Sequence, residues 1–92
     1  MKIVWSVNAN LENLDNIEYL LDKWSLKVCL NYEEKIMRTE KLLLANPKLG
    51  IFDKELLIYK ILVVPQIYML YDISDETIQV VSIWNNYQKP YL

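Results

Sequence analysis

The apolar residues of this 92-residue chain change their spacing near residue 50. Before that point they recur every three or four positions, which is the period of an α-helix with one apolar face. After it, short apolar and β-branched runs alternate with polar residues and are separated by turn-forming residues, which is typical of β-strands. This change of period restricts the chain to an α+β fold in which a helical half covers a sheet-forming half.

The first half is predicted to contain a short strand over residues 2–6 and then a helix that begins after Asn8 or Asn10. An apolar stripe at helical spacing is expected to face the core from this helix: Leu11, Leu14, Ile17, Leu21 and Trp24. Polar residues are expected on its opposite, solvent-facing side: Glu12, Asp15, Asn16 and Asp22.

A second helix is predicted over residues 26–45, with Ser25 as its N-cap. Its expected inner stripe has four members, Cys29, Tyr32, Ile36 and Leu43, and Leu44 is expected beside them. Almost no residues separate the two helices, so they should form a helical hairpin. Asn46-Pro47 ends the second helix, and Gly50 stands where a turn is needed.

The second half is predicted to contain three strands, over residues 57–64, 67–73 and 77–84. Ile78, Val80 and Ser82 of the last strand should share one face. Two short turns join the strands, so they should form an antiparallel meander. Because its apolar face needs cover and the first strand needs a partner at the meander's edge, the expected order is β-α-α-β-β-β, an antiparallel sheet covered on one face by the helical hairpin. One domain over residues 1–92 is expected from the length.

Composition argues against several classes of function. The formal charge is −2, there is no histidine, and Arg38 is the single arginine, so the basic stripe usual in nucleic-acid-binding proteins is missing. Cys29 is the single cysteine, and without histidine it predicts neither a zinc site nor an internal disulfide. No metal or cofactor is expected. No segment is typical of a signal peptide or a membrane span, so a cytoplasmic protein is expected.

Four features in order resemble the RelE/ParE toxins of bacterial type II toxin–antitoxin modules: Val4-Trp5-Ser6, Trp24-Ser25, Asn46-Pro47-Lys48-Leu49-Gly50, and the strand pair 59–63 and 67–71. The resemblance covers essentially the whole chain. It implies a growth-inhibiting toxin, of the kind found in plasmid stabilization systems, that a cognate antitoxin neutralises. One branch of the superfamily cleaves messenger RNA on the ribosome, and the other poisons DNA gyrase without being a nuclease.

Cleavage of RNA requires a group that activates the ribose 2′-hydroxyl, cations for the developing charge and a proton donor. The resemblance leaves Lys54, Lys60, Tyr87 and Lys89 as candidate catalytic residues. Two positions at which the ribonuclease branch has arginine are Tyr68 and Tyr87 here, and a neutral phenol cannot replace a guanidinium. The sequence therefore favours a toxin that acts by binding, as ParE does on DNA gyrase, or one that has lost activity. The alternative is a ribosome-dependent mRNA endonuclease.

The resemblance also implies contacts with a partner, either the cognate antitoxin or the target, which is DNA gyrase or the ribosome with its mRNA. Four aromatic residues are the candidates for these contacts: Trp84, Tyr68, Tyr71 and Tyr91. Packing within the sheet is the competing interpretation for Tyr68 and Tyr71. A harmless adaptor that has kept the fold is a third possibility for the function.

Overall fold

The structure is a computed structural model that describes residues 1–88, and these form two helices and five strands. In chain order they are β1 (Lys2–Trp5), α1 (Val7–Lys23), α2 (Leu26–Ala45), β2 (Ile51–Asp53), β3 (Ile58–Val64), β4 (Ile67–Ser74) and β5 (Thr77–Asn85). The predicted α+β class, the helical hairpin and the meander of β3, β4 and β5 are confirmed. Neither helix has an apolar stretch long enough to cross a membrane.

The sheet has the strand order β1-β5-β4-β3-β2 and differs from the prediction in two details. Lys2–Trp5 pairs with an edge of the meander as expected, and the partner is β5, but the pairing is parallel, so the sheet is mixed rather than wholly antiparallel. The short strand β2, which the sequence pattern did not indicate, extends the meander by pairing with β3. Local periodicity specifies neither the direction of a long-range pair nor a strand of three residues.

Helix α2 covers the sheet with the stripe that its sequence predicts. Ser25 is the N-cap, and its side chain accepts a hydrogen bond from the Val28 N–H. All four predicted inner residues are buried: Cys29, Tyr32, Ile36 and Leu43. They pack with buried residues of the meander: Val63, Ile67, Met69, Tyr71, Ile78, Val80 and Ile83.

Helix α1 presents a different face to the sheet from the one predicted. Its N-cap is Ser6, not Asn8 or Asn10, and its buried residues are Ala9, Asn16 and Leu20. Most of the predicted inner stripe is instead 47% to 57% exposed: Leu11, Leu14, Leu21 and Trp24. Of that stripe, Ile17 alone packs against the core.

The polar side chains of α1 face the sheet because β5 extends beyond β1 and has an unpaired edge there. The Asn8 amide donates to the Val81 carbonyl (3.4 Å), the Ile83 N–H donates to the Glu12 carboxylate (3.2 Å), and the Asn16 amide donates to the Ile83 carbonyl (3.3 Å). These three helical residues are four positions apart, so they lie on one face. They take the place of a neighbouring strand, since buried backbone groups need partners.

A β-bulge in β5 changes the face that its last residues present. Leu70 is opposite Ser82 and Tyr71 is opposite Val80, so Val81 is an extra residue in β5. Ile83 is therefore the residue that continues the buried row, and the prediction that Ser82 shares the face of Val80 is wrong. A one-residue insertion inverts the alternation beyond it.

Gly50 is required by close packing rather than by backbone conformation. Its N–H donates to the Tyr71 hydroxyl (2.9 Å), which in turn donates to the Pro47 carbonyl (2.8 Å). A Cβ atom on Gly50 would lie 2.7 Å from that hydroxyl and 2.9 Å from the Lys60 carbonyl oxygen. Its φ angle is not positive. These contacts tie the exit of α2 to the centre of the sheet.

Candidate functional site

The face of the sheet away from the helices carries an open concavity of about 470 Å³. We call it the open-face concavity, and its lining residues are Asp53, Glu55, Leu56, Lys60, Leu70, Ser82 and Trp84. Three of these residues, Lys60, Leu70 and Ser82, are neighbours across β3, β4 and β5. The bulge in β5 brings the Ser82 position to this side.

Lys60, one of the predicted catalytic residues, is ion-paired at the open-face concavity. Its Nζ lies 3.5 Å from Oδ2 of Asp53, and the side chains are 28% and 21% exposed. The other carboxylate oxygen of Asp53 accepts the N–H groups of Leu56 (2.9 Å) and Glu55 (2.9 Å). Those backbone hydrogen bonds, first that of Leu56, and the Lys60 ammonium hold the pKa of Asp53 below its ordinary value. Asp53 is thus ionised near neutral pH and offsets the charge of Lys60.

A row of apolar and aromatic residues crosses the same face beside Lys60. Leu62, Tyr68 and Trp84 are paired across β3, β4 and β5. Leu62 is half exposed, whereas the two aromatic side chains are partly buried. The Trp84 indole N–H donates to Oδ1 of Asn86 (2.8 Å). Two of the predicted partner-contacting residues therefore lie side by side on the open face.

The other two predicted partner contacts do not join this row. Tyr71 is fully buried on the helix side, where its ring stacks on Tyr59 with centroids 5.3 Å apart. Burial raises the pKa of the Tyr71 phenol. Its side chain has no surface to offer a partner, and its role is the packing against Gly50. Tyr91 lies outside the described residues, as does the predicted catalytic residue Lys89.

The predicted catalytic residues that are described do not form one cluster. Lys54 is exposed in the turn between β2 and β3. Tyr87 lies on the helix side of the sheet, where its ring stacks on Tyr19 at 6.0 Å and meets Trp24 at 6.1 Å. Lys60 lies on the opposite face. A single substrate phosphate therefore cannot contact both Lys60 and Tyr87 in this structure.

A second surface, whose six residues the sequence did not single out as a site, lies on the outer side of the helical hairpin. We call it the hairpin seam, and it consists of Val7, Leu14 and Leu21 of α1 with Leu30, Met37 and Leu44 of α2. These six apolar side chains are between 44% and 77% exposed. In each helix the three residues are seven positions apart, which is two helical turns, so each set forms a row along its helix.

The two rows flank the crevice between the helices. Ile17 and Met37 both line that crevice, which has a volume of about 160 Å³. Leu14 and Leu21 are three and four positions from Ile17, so they lie on the same side of α1. The other α2 residues of the seam are seven positions before and after Met37. The seam is thus an exposed apolar surface along the two helices, and the polar side chains of Asn13 and Glu33 also line the crevice that it flanks.

Two solved structures are similar to this chain over most of its length. One is from the chromosomal ParDE TA system of P. aeruginosa, with a TM-score of 0.74 and 16% sequence identity over 92% of this chain and 95% of that chain. The other is a YoeB/ParE toxin from Agrobacterium tumefaciens, with a TM-score of 0.64 and 15% identity over 92% of this chain and 98% of that chain. The chain has the RelE/ParE fold. No protein-family model and no curated protein matches it.

The RelE/ParE fold of this chain therefore carries two surfaces with different chemistry. The open-face concavity combines a neutralised lysine with an aromatic row, which suits contact with a partner better than the binding of a phosphate. The hairpin seam presents exposed apolar side chains in two helical rows. The seven-residue repeat of the seam is visible in the sequence. The leucines of α1 were nevertheless predicted to face the core, because nothing in the local sequence indicates that Glu12 and Asn16 form hydrogen bonds with the edge of β5.

Proposed function

We propose that this chain is the toxin component of a type II toxin–antitoxin module, that it acts by binding its target, as the gyrase-directed ParE branch does, and that a cognate antitoxin neutralises it. The likeness of its fold to a ParDE system and to a YoeB/ParE toxin supports this proposal. The sequence identity to both is low, so support for the mechanism comes from the residues of this chain.

The ion pair at the open-face concavity is the observation that favours binding over RNA cleavage. Among residues 1–88, Lys60 is the one cationic side chain that lines the concavity, and Asp53 already neutralises it. Tyr68 occupies the position on this face where the resemblance leads one to expect an arginine. Removing one charge-stabilising contact from a transition state typically lowers the rate about 100- to 1000-fold. An active ribonuclease with these residues would therefore be slow.

The hairpin seam supports the antitoxin part of the proposal. Apolar residues that repeat every seven positions on two adjacent helices form the kind of surface that a third amphipathic helix covers. An exposed apolar surface of this kind marks an interaction site in many soluble proteins. We therefore assign the seam to a helical segment of the antitoxin.

The mechanism is tested by inducing the chain alone, as wild type and as Lys60→Ala, with Lys41→Ala on the exposed side of α2 as the matched control. Arrest of growth by all three proteins, together with inhibition of gyrase supercoiling by each purified protein, is the expected result. Codon-aligned cuts in messenger RNA that disappear only in Lys60→Ala would replace the proposal with the endonuclease alternative. No effect of the wild type on growth would leave the adaptor function instead.

The antitoxin surface is tested by Met37→Glu, with Arg38→Glu on the next exposed position of α2 as the control. A charge in the seam should prevent co-purification with the product of the adjacent small gene, because a buried carboxylate without a partner is costly. The Arg38→Glu protein should still be bound and neutralised. Equal binding of both variants would contradict the assignment of the seam.

A further inference from the structure

A pocket of about 180 Å³ lies at the closed end of the helical hairpin, near the junction of α1 and α2. We call it the hairpin-end pocket. Its floor is formed by the buried side chains of Leu20, Tyr32 and Ile67, and its walls include Trp24, Val28 and Tyr87. Trp24 and Tyr87 are 56% and 45% exposed, so the aromatic walls reach from the core to the surface.

The aromatic walls of the pocket contact neighbouring rings and backbone groups. The Tyr87 ring stacks on Tyr19 with an interplanar angle of 20°, and its backbone N–H donates to Oδ1 of Asn85 (2.9 Å). Asn85 is itself buried. Trp24 is the C-cap of α1, and its N–H donates to the Leu20 carbonyl (3.0 Å). The Trp24 ring also contacts the Tyr87 ring, with centroids 6.1 Å apart, and contacts of this kind reduce the side-chain ordering cost of binding.

The size and polarity of the pocket select its occupant. An apolar cavity of roughly 150 Å³ in a protein binds benzene, so the hairpin-end pocket has room for one aromatic ring. Within residues 1–88 no charged side chain lines it, which disfavours a charged occupant. Rings prefer offset or edge contacts with other rings, and two of the walls are aromatic.

The rim of the pocket offers hydrogen bonds of the kind that a peptide accepts. Asn31 lines the pocket, and both its side-chain amide and the Trp24 indole belong to exposed residues at the rim. The indole N–H is a donor and the side-chain amide is both a donor and an acceptor, so the two groups can pair with backbone carbonyl and N–H groups of a peptide. We propose that the hairpin-end pocket is an anchor site for one aromatic side chain of a partner polypeptide, whose backbone is held at the rim by Trp24 and Asn31.

The proposal is tested with N-acetyl-phenylalaninamide as the probe, followed through the NMR signals of the Trp24 indole N–H and the Asn31 side-chain amide. Both signals should shift saturably, and N-acetyl-alaninamide should bind at least about tenfold more weakly, since burial of a ring contributes roughly 1.4 kcal/mol or more over a methyl group. Val28→Trp, which fills the pocket, should abolish the shifts. Leu42→Trp, at an exposed position of α2 outside the pocket, should leave them unchanged.

The proposal is wrong if the phenylalanine and alanine probes bind equally, or if Val28→Trp binds like the wild type. Stronger binding of N-acetyl-leucinamide than of the phenylalanine probe would overturn the aromatic assignment. The probe is mapped on the wild-type protein, so a Val28→Trp chain that fails to fold does not decide the outcome. Because no readout depends on toxicity, the result is separate from the proposed function.

Discussion

Replacing Glu12 with alanine should destabilise the fold more than any other removal of a charge from α1. Its carboxylate accepts the Ile83 N–H (3.2 Å), the Ser82 hydroxyl (2.7 Å) and the Asn8 amide (3.0 Å). The first of these bonds satisfies a backbone donor of β5 that has no strand beside it. Without Glu12, the Ile83 N–H at the edge of β5 loses its hydrogen-bond acceptor, and no other described residue replaces it.

The size of the effect follows from the number and kind of hydrogen bonds that are lost. A backbone donor left without a partner costs about 1–3 kcal/mol, and the side chains of Ser82 and Asn8 can turn toward water at a smaller cost. The free energy of unfolding should therefore fall by about 2–3 kcal/mol. At about 4–8 °C per kcal/mol for a domain of this size, the melting temperature should fall by about 10–20 °C.

Urea unfolding followed by tryptophan fluorescence measures this change, with Glu18→Ala on the exposed side of α1 as the matched control. Glu18→Ala should change the free energy of unfolding by less than about 0.5 kcal/mol. Glu12→Gln keeps an acceptor oxygen but loses the charge, so it should fall between the two. Equal stability of Glu12→Ala and Glu18→Ala would refute the view that α1 substitutes for a strand.

Two further predictions concern the packing of buried tyrosines. Gly50→Ala should lower the free energy of unfolding by about 1–3 kcal/mol, because the new Cβ would lie 2.7 Å from the Tyr71 hydroxyl. Urea unfolding measures this cost. If the cost is the same when Tyr71→Phe removes the hydroxyl in a double variant, contact with the hydroxyl is not the main cause. Burial raises the pKa of Tyr32 to about 12 from 10.0, so folding favours the neutral phenol. The contribution of this phenol to the free energy of unfolding is therefore complete below pH 10.0 and is lost as the pH rises through about 12. Stability measured against pH should decline over that range in the wild type and less steeply in Tyr32→Phe; equal slopes would contradict the assignment.

Helix α2 and helix α1 illustrate where sequence reasoning succeeds and where it fails. In α2 the N-cap Ser25 and the buried stripe could be predicted, because one face is apolar and the other is charged. In α1 both the apolar and the polar faces looked ordinary, and the wrong one was assigned to the core. Glu12 and Asn16 face the sheet because β1 ends before β5 does, which leaves backbone groups of β5 without a neighbouring strand.

The candidate site was less predictable than the fold. Lys60 and Tyr87 are both plausible catalytic residues in the sequence, but the sheet separates them onto opposite faces. Tyr68 and Trp84 do meet on the open face, because cross-strand register pairs them. Whether they contact a partner stays a prediction.

The sequence by itself determined the α+β class, the bounds of most helices and strands, and the position of the glycine that ends the helical half. These features depend on spacing within a few residues, which local periodicity and capping encode. Only the tertiary structure decided the parallel pairing of Lys2–Trp5, the inward face of α1, the close approach of Gly50 to Tyr71 and the pairing of Lys60 with Asp53. Each of these depends on which distant groups are left without a partner when the chain packs.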